Sequence, residues 1–185
     1  LDGGLEDKRK ITNVVLMGSG EPLDNYDNVI AFLRNVSLAG GINISPRNIS
    51  LSTCGLVPQM YKLAEENLSV NLTVSLHSPI DEERQKIMPI AKAYSIKQIL
   101  DACQNYFDKT GRRYIFEYVL IKGQNDTELH AKTLIKLLSE RPCHLNLIRL
   151  NEVKEKNLKS VADKDAYRFM GVLEKAGLSV SVRRR

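Results

Sequence analysis

The sequence lacks the features that mark several large classes of protein. No apolar run approaches the roughly 18 residues that a membrane-spanning helix requires, and the first residues, Leu1-Asp2-Gly3-Gly4, have no charged-then-apolar signal pattern. No low-complexity segment or interdomain linker interrupts the 185 residues, and 43% of them are hydrophobic. We therefore predict one folded domain over residues 1–185, located in the cytoplasm and without membrane contact.

Cysteine is also scarce. Cys54, Cys103 and Cys143 are 49 and 40 residues apart. This spacing fits neither a paired disulfide framework nor the closely spaced ligands of a zinc or iron-sulfur site. We interpret the three residues as plain thiols in a reducing compartment.

The excess of basic residues is small, since 27 lysines and arginines face 22 acidic residues. Part of it lies in short clusters: Lys8-Arg9-Lys10, Arg112-Arg113 and Arg183-Arg184-Arg185. Such clusters suit a phosphate backbone, and ordinary solvated charge explains them equally well. Arg183, Arg184 and Arg185 are the candidate RNA contacts.

Strand and helix patterns alternate along the chain. The predicted strands cover 13–17, 48–52, 71–76, 114–121, 144–150 and 178–182. The predicted helices cover 27–37, 57–66, 81–88, 95–109, 126–139 and 164–176. Ser95 with Gln98 forms a capping-box pattern, Asp126 is placed to cap a helix start, and Gly177 is placed to end the last helix. The alternation predicts an α/β fold, either an open doubly wound sheet or part of a (β/α) barrel.

Polar or glycine residues follow four of the predicted strands. They are Gly18-Ser19-Gly20-Glu21, Ser52-Thr53-Cys54-Gly55, Ser75-Leu76-His77 and Arg149-Leu150-Asn151. Ligands of parallel α/β folds bind beyond the carboxyl ends of the strands, and four contributing ends fit a ring of strands better than an open sheet. We therefore favour a partial barrel.

Each of these residues also has an ordinary structural explanation. Glu21 can present a carboxylate to a cation or lie near a helix start, and the Ser52 hydroxyl can bind a ligand or cap a helix. His77 can be catalytic or structural, and Asn151 can contact an adenine edge or a ribose hydroxyl, or simply form a turn. The glycine loop at Gly18 and Gly20 is not a dinucleotide-binding fingerprint, because Glu21-Pro22-Leu23 stands where that motif continues.

Glu117 is a carboxylate in an otherwise apolar row of the fourth strand, because side chains alternate between the two faces of a strand. Burying it without a partner is costly, so we expect either an ion pair or a ligand there.

Taken in order, five segments resemble the RlmN/Cfr family of radical S-adenosylmethionine (SAM) methyltransferases of ribosomal RNA. They are Met-Gly-Ser-Gly-Glu-Pro-Leu, Leu-Ser-Thr-Cys-Gly-Leu-Val-Pro, Ser-Leu-His-Ser-Pro with Asp81-Glu82-Glu83-Arg84, Phe-Glu-Tyr-Val-Leu, and Leu-Asn-Leu-Ile. The resemblance covers about residues 11–185. It implies a partial (β/α)6 TIM-like barrel, of which this chain holds the second to sixth strands and a terminal strand but not the first.

The resemblance also implies the roles of particular residues. Gly20 and Glu21 match residues near the methionine amino group of SAM, and Ser52 matches a hydroxyl contact. Ser75, Leu76 and His77 match ribose-side contacts, and Asn151 matches a polar contact after the last barrel strand. No catalytic residue and no metal ligand is carried over, and Glu117 receives no role.

The implied cofactors are SAM and a 4Fe-4S cluster, and the implied partners are ribosomal RNA, transfer RNA and a reducing electron donor. The family's Cys-x-x-x-Cys-x-x-Cys loop and its methyl-carrying cysteine do not occur in these 185 residues. We therefore expect a core fragment that is inactive alone and whose parent methylates carbon 2 of an adenine. We also expect its first strand, 13–17, to be an exposed edge.

Four alternatives stay open from the sequence. One is methylation of carbon 8, the activity associated with antibiotic resistance, and a second is another radical SAM activity such as a glycyl-radical activating enzyme. A third is a non-catalytic module that binds RNA or SAM, and a fourth is a barrel enzyme with a phosphate site at Gly18–Gly20.

Overall fold

The fold is a six-stranded parallel sheet flanked by helices, in a computed structural model that describes residues 11–151 and 158–183. Strands β1 to β6 are Val14–Leu16, Ile49–Thr53, Asn71–Ser75, Tyr114–Leu120, Cys143–Arg149 and Val180–Val182. Helices α1 to α6 are Tyr26–Val36, Val57–Glu65, Asp81–Ile87, Ile96–Thr110, Glu128–Leu138 and Asp163–Lys175. Three short 3-10 helices, Pro22–Asn25, Pro46–Asn48 and Pro89–Lys92, lie between them. All predicted strands and helices are present, with ends shifted by one or two residues.

The strands follow one another in sheet order from β1 to β6, and every neighbouring pair is parallel. The order of the strands never reverses along the sheet. Right-handed crossovers between such strands place all the connecting helices on one face of the sheet. A doubly wound sheet would instead reverse its order at a switch point. The sheet order therefore agrees with the predicted partial barrel.

The sheet also curls, as a contact between its two edges shows. The Arg183 Nη1 atom, just after β6, lies 3.8 Å from the Met17 Sδ atom, just after β1. In a flat sheet, five strand spacings would separate these edges by about 24 Å. The helix-free face is therefore concave.

The two faces of the sheet differ in polarity. The core lies on the helix side, where Tyr114, Phe116, Tyr118 and Leu120 of β4 are fully buried. Their neighbours in sequence point to the concave face. There, Glu117 lies in register with Ser75 of β3 and Asn146 of β5, and Asn146 lies in register with Ser181 of β6. The predicted alternation along β4 is confirmed, and the concave face carries a polar row.

Two of the three predicted helix-end signals are confirmed. Ser95 and Gln98 form a reciprocal capping box at the start of α4, and Gly177 follows α6 with a φ of 88°. The predicted role of Asp126 is wrong, because α5 begins only at Glu128. The Asp126 carboxylate instead accepts from the Gly123 amide, 2.7 Å away, and so closes the preceding turn.

Strand β1 is an edge of the sheet, as predicted. Among the described residues it pairs only with β2, and Val15 is 58% exposed. None of the helices described by the structure is long and apolar enough to cross a membrane. Of the predicted basic cluster, Arg184 and Arg185 lie outside the described residues.

Candidate functional site

The candidate site lies where the strands end on the concave side, and its first part is the loop after β1. Gly18, Ser19 and Gly20 all have positive φ angles, of 85°, 52° and 122°. Three successive residues of this kind reverse the chain sharply, which is easiest for glycine. The loop delivers Glu21 to the start of the 3-10 helix Pro22–Asn25.

Glu21 joins the first two loops of the site. Its Oε1 atom accepts from the Leu23 amide at 3.0 Å, and its Oε2 atom accepts from the Cys54 amide at 2.7 Å. Each carboxylate oxygen can accept more than one hydrogen bond, so Glu21 keeps acceptor capacity for a cationic group. The predicted position of Glu21 at a helix start is confirmed, and its contact with a cation stays a prediction.

The loop after β2 contributes hydroxyl groups and a thiol. Ser52 lies half-buried on the concave face, and its hydroxyl has no hydrogen-bond partner among the described residues. Thr53 is buried, and its hydroxyl accepts from the Gly55 amide at 3.1 Å. Burial and the neighbouring Glu21 raise the pKa of the Cys54 thiol to about 12. Cys54 is thus a protonated thiol at neutral pH.

The loop after β3 places His77 in an unusual backbone conformation, with a φ of 58°. The His77 Nδ1 atom accepts from the Val119 amide at 3.2 Å. Burial, together with the charge of Arg84, lowers the pKa of His77 to about 4. A neutral imidazole that accepts at Nδ1 carries its proton on Nε2, so His77 is a hydrogen-bond donor at neutral pH.

Ser75 and Leu76 lie beside His77 but differ in exposure. Ser75 is half-buried on the concave face, in register with Glu117. Leu76 is fully buried; its amide donates to the Glu117 carbonyl at 2.9 Å, and its carbonyl accepts from the Arg84 Nε atom at 3.1 Å. Leu76 thus supports the loop from within.

The last predicted site residue, Asn151, is exposed and follows β5.

Two adjoining cavities open beside His77, with volumes of about 270 Å³ and about 580 Å³. They share His77, Lys86, Ile87, Ile121 and Gln124 in their walls. Apolar walls with a few polar groups are typical of pockets for small organic ligands. The site therefore offers a partly open pocket beside the residues predicted to contact ribose.

Two buried polar side chains organise the site and were not among the residues predicted from the sequence. Arg84 of α3 is fully buried, and its guanidinium donates to three carbonyls at the ends of β2 and β3. Asn125 is 3% exposed; its amide group donates to the His77 and Val119 carbonyls, at 2.8 and 2.7 Å. Charged and amide residues in polar segments are usually exposed, so the sequence offered no signal of their burial.

Glu117 is 6% exposed and faces the concave side. Burial raises the pKa of its carboxyl group, and the charge of Arg183 opposes this only in part. No ion pair within 4 Å forms at Glu117 among the described residues, so the partner expected from the sequence is not seen there. The carboxylate therefore remains available to a ligand on this face.

The cysteines do not form a metal site. Cys103 and Cys143 are buried, and burial raises the pKa of both thiols. No cluster of three or more histidine, cysteine or acidic side chains that could hold a metal occurs within 11–151 and 158–183. These residues offer no ligand set for an iron-sulfur cluster.

Comparison with known proteins adds independent evidence. Residues 5–134 match the model of the radical SAM superfamily. The chain is 49% identical to "Probable dual-specificity RNA methyltransferase RlmN" of Lachnoclostridium phytofermentans, over 95% of the chain and 49% of the relative. Its identity to the protein of the same name from Clostridioides difficile is 52%, over 95% of the chain and 51% of the relative. The chain thus spans about half the length of these curated relatives.

Solved structures agree. A radical SAM methyltransferase from Sphaerobacter thermophilus superposes with a TM-score of 0.91 at 40% identity, covering 95% of this chain and 51% of that one. A domain of pyruvate-formate lyase-activating enzyme from Bacteroides vulgatus gives 0.72 at 18% identity, covering 94% and 100%. The second likeness shows the fold alone. On the match of its sequence and the order of its strands, this chain belongs to the radical SAM superfamily.

Proposed function

We propose that this chain is the SAM-binding core domain of an RNA methyltransferase of the RlmN type. The parent protein methylates carbon 2 of an adenine in 23S ribosomal RNA and accepts transfer RNA as a second substrate. The observation that carries the proposal is the convergence of Glu21, Ser52, Ser75 and His77 at the ends of three adjacent parallel strands. The names of the relatives at about 50% identity support RNA as the substrate.

The residues at this rim match the chemical groups of SAM. The Glu21 carboxylate is an acceptor for the ammonium group, and the free hydroxyls of Ser52 and Ser75 can bond carboxylate or ribose oxygens. The Nε2 proton of His77 can be donated to a ribose oxygen, and the exposed Asn151 amide lies after β5 for an adenine or ribose contact. When bound, SAM supplies the methyl group and the source of the adenosyl radical.

The 4Fe-4S cluster of the superfamily does not fit the residues described here, because the three cysteines are dispersed and two are buried. The cluster ligands, and the site of the reducing electron donor, therefore belong to the parent protein in the cytoplasm. The 185 residues alone are expected to be inactive. Iron analysis after anaerobic reconstitution checks this, and about four iron atoms per chain would contradict it.

Calorimetric titration of SAM into the chain tests the binding site. We expect saturable binding that weakens about tenfold or more in Glu21→Gln, because a charged hydrogen bond is lost. Glu174→Gln, an exposed change in α6, is the control and should bind as the wild type does. Binding of RNA without any SAM affinity would instead favour a non-catalytic RNA-binding module.

The substrate is tested on the full gene product that contains this chain, reconstituted anaerobically with a reductant. Ribosomal and transfer RNA are treated with it in the presence of SAM, digested and analysed by mass spectrometry. We expect 2-methyladenosine from both RNAs. Recovery of 8-methyladenosine would reassign the target carbon, and the absence of product from transfer RNA would restrict the substrate to ribosomal RNA.

A further inference from the structure

Arg84 lies between the two halves of the proposed SAM site. Its Nη2 atom donates to the Cys54 carbonyl at 2.8 Å and to the Ser75 carbonyl at 3.0 Å, and its Nε atom donates to the Leu76 carbonyl at 3.1 Å. The side chain is fully buried. One guanidinium therefore binds the loop after β2 and the loop after β3 at the same time.

These contacts continue a chain of hydrogen bonds across the rim. Cys54 accepts from Arg84 through its carbonyl and donates to Glu21 through its amide, so Arg84 is linked to the loop after β1. On the other side, the Leu76 and His77 amides donate to the Glu117 carbonyl at 2.9 and 3.3 Å, which ties the third loop to β4. Glu21, Ser75, Leu76 and His77, four of the residues proposed to contact SAM, thus belong to one connected network.

Gly55 makes room for this arrangement. It has a φ of 102°, and a Cβ atom built there would lie 2.9 Å from the Ile99 Cδ1 atom and 3.5 Å from the Arg84 Nη2 atom. A side chain at this position would crowd Ile99 and touch the guanidinium at an ordinary contact distance. The positive φ and the close approach of Ile99 therefore favour glycine in the loop that accepts from Arg84.

We propose that Arg84 is the positioning residue that holds the loop after β2 and the loop after β3 of the SAM site in one fixed arrangement. The proposal rests on the proposed function for its ligand, although the connection between the loops can be tested without SAM. Because Arg84 is fully buried, it acts through Cys54, Ser75 and Leu76 rather than by touching SAM.

Burying a guanidinium group costs free energy. This cost allows the positioning role of Arg84 to be distinguished from a role in packing alone. The Nη1 atom of Arg84 has no hydrogen-bond partner among the described residues. Replacing a buried charged pair by apolar side chains of similar volume is often neutral or stabilising, whereas removing a donor on which buried acceptors depend is costly. If Arg84 only filled space, Arg84→Met would therefore be stable and would bind SAM normally.

Arg84 also has an electrostatic effect on His77 that serves as a readout. Its positive charge adds to burial in lowering the pKa of His77. Lys86 lines both cavities beside His77 and Glu83 lines the smaller one, and neither residue is changed in the variants. Removing the Arg84 charge should raise the pKa of His77 toward the ordinary value, whereas a lysine at position 84 should keep it low.

The experiment compares Arg84→Lys, Arg84→Gln and Arg84→Met with the wild type and with Arg34→Met. Arg34 is a matched control, because its side chain is 57% exposed and pairs with Glu66 away from the site. Three quantities are measured: the dissociation constant of SAM, the NMR titration of His77, and hydrogen exchange of the Cys54 and His77 amides. Circular dichroism identifies the variants that fold.

We expect SAM to bind at least about tenfold more weakly in all three Arg84 variants, because neither lysine nor the neutral side chains can span three carbonyls. The Cys54 and His77 amides should exchange faster, and the pKa of His77 should rise in Arg84→Gln and Arg84→Met but not in Arg84→Lys. Folded variants with wild-type SAM affinity and wild-type amide exchange would overturn the proposal.

Two further outcomes are distinguishable. If the wild-type chain binds no SAM, the proposed function of this chain fails, while amide exchange still decides whether Arg84 couples the loops. If none of the variants folds, the Nε–H signal of Arg84 in the wild type decides. It should exchange far more slowly than that of Arg34 and shift when SAM is added; exchange as fast as that of Arg34 would overturn the proposal.

Discussion

Among single residues, Glu117 stands out as a carboxylate whose ionisation opposes folding. It is buried on the concave face without an ion pair among the described residues, and burial raises its pKa. Its folded-state pKa lies above the unfolded value, so the folded protein binds the proton more tightly. This group therefore favours folding at acidic pH and disfavours it once both states are ionised.

Glu117→Gln should consequently raise the melting temperature at pH 7. It should have little effect near pH 4, because the Glu117 carboxyl group of the folded wild type is protonated there. Thermal unfolding at the two pH values measures the difference. Glu174→Gln, at an exposed site, should change neither. A lower melting temperature at pH 7 would mean that the Glu117 charge is stabilised in the protein.

Cys54 gives a second prediction at this scale. Because its pKa is raised to about 12 by burial and by Glu21, the thiolate fraction at pH 8 is very small. Alkylation of the folded chain by iodoacetamide, followed by peptide mass spectrometry, should label Cys54 about a thousand times more slowly than in an unfolded chain. Glu21→Gln should accelerate the labelling, and an unchanged rate would argue against the contact with Glu21.

Single residues also show what the sequence could and could not reveal. The strand ends at Glu21, Ser52 and His77 were predictable, because alternation of strands and helices brings such ends to one edge. The position of Arg84 was not, because its burial depends on three carbonyls from segments that are distant in sequence. Tertiary contacts of this kind leave no periodic pattern.

At the scale of helices and strands, local signals predicted most of the structure. Helix α4 has both its capping box and a left-handed closing residue, Gly111, with a φ of 66°. The start of α5 was misjudged because Asp126 is used by a preceding turn, and the choice between two neighbouring capping residues depends on that turn. The sequence predicted which helices and strands are present. The residues at which they begin and end depend on local competition for hydrogen bonds, which the sequence pattern does not show.

Ser95→Ala should destabilise the fold by about 1 kcal/mol, because the α4 capping box loses its side-chain acceptor. Urea unfolding monitored by circular dichroism provides the measurement. Ser45→Ala is a matched control, since Ser45 precedes a 3-10 helix without making a side-chain cap bond. Equal effects of the two substitutions would contradict a specific role for the capping box.

The exposed edge at β1 should promote association of the 185-residue chain through strand pairing. Sedimentation analysis should show a fraction of oligomers that increases with protein concentration. Val15→Lys, which places a charge on the edge strand, should reduce them, whereas Tyr167→Lys, at an exposed site in α6, should not. A strictly monomeric wild type at high concentration would rule out pairing by this edge.

For the whole molecule, the order of strands decides where ligands can bind. Because the order of the strands never reverses, the helices lie on one side of the sheet and the concave polar face is left on the other. The sequence favoured this arrangement through the four polar strand ends. The curl of the sheet could not be read from the sequence, because it appears in the contact between Met17 and Arg183 at opposite edges.

That contact has a consequence for how the chain folds. Met17 and Arg183 are 166 positions apart, whereas each adjacent pair of strands is joined by a connection that contains only one or two α-helices. Contacts between distant residues cost more chain entropy to close than local ones, unless intervening structure has already brought them together. We therefore expect neighbouring strands to assemble first and the two edges to approach each other late on the folding pathway. Substitution of Met17 should accordingly speed unfolding while leaving the rate of folding nearly unchanged.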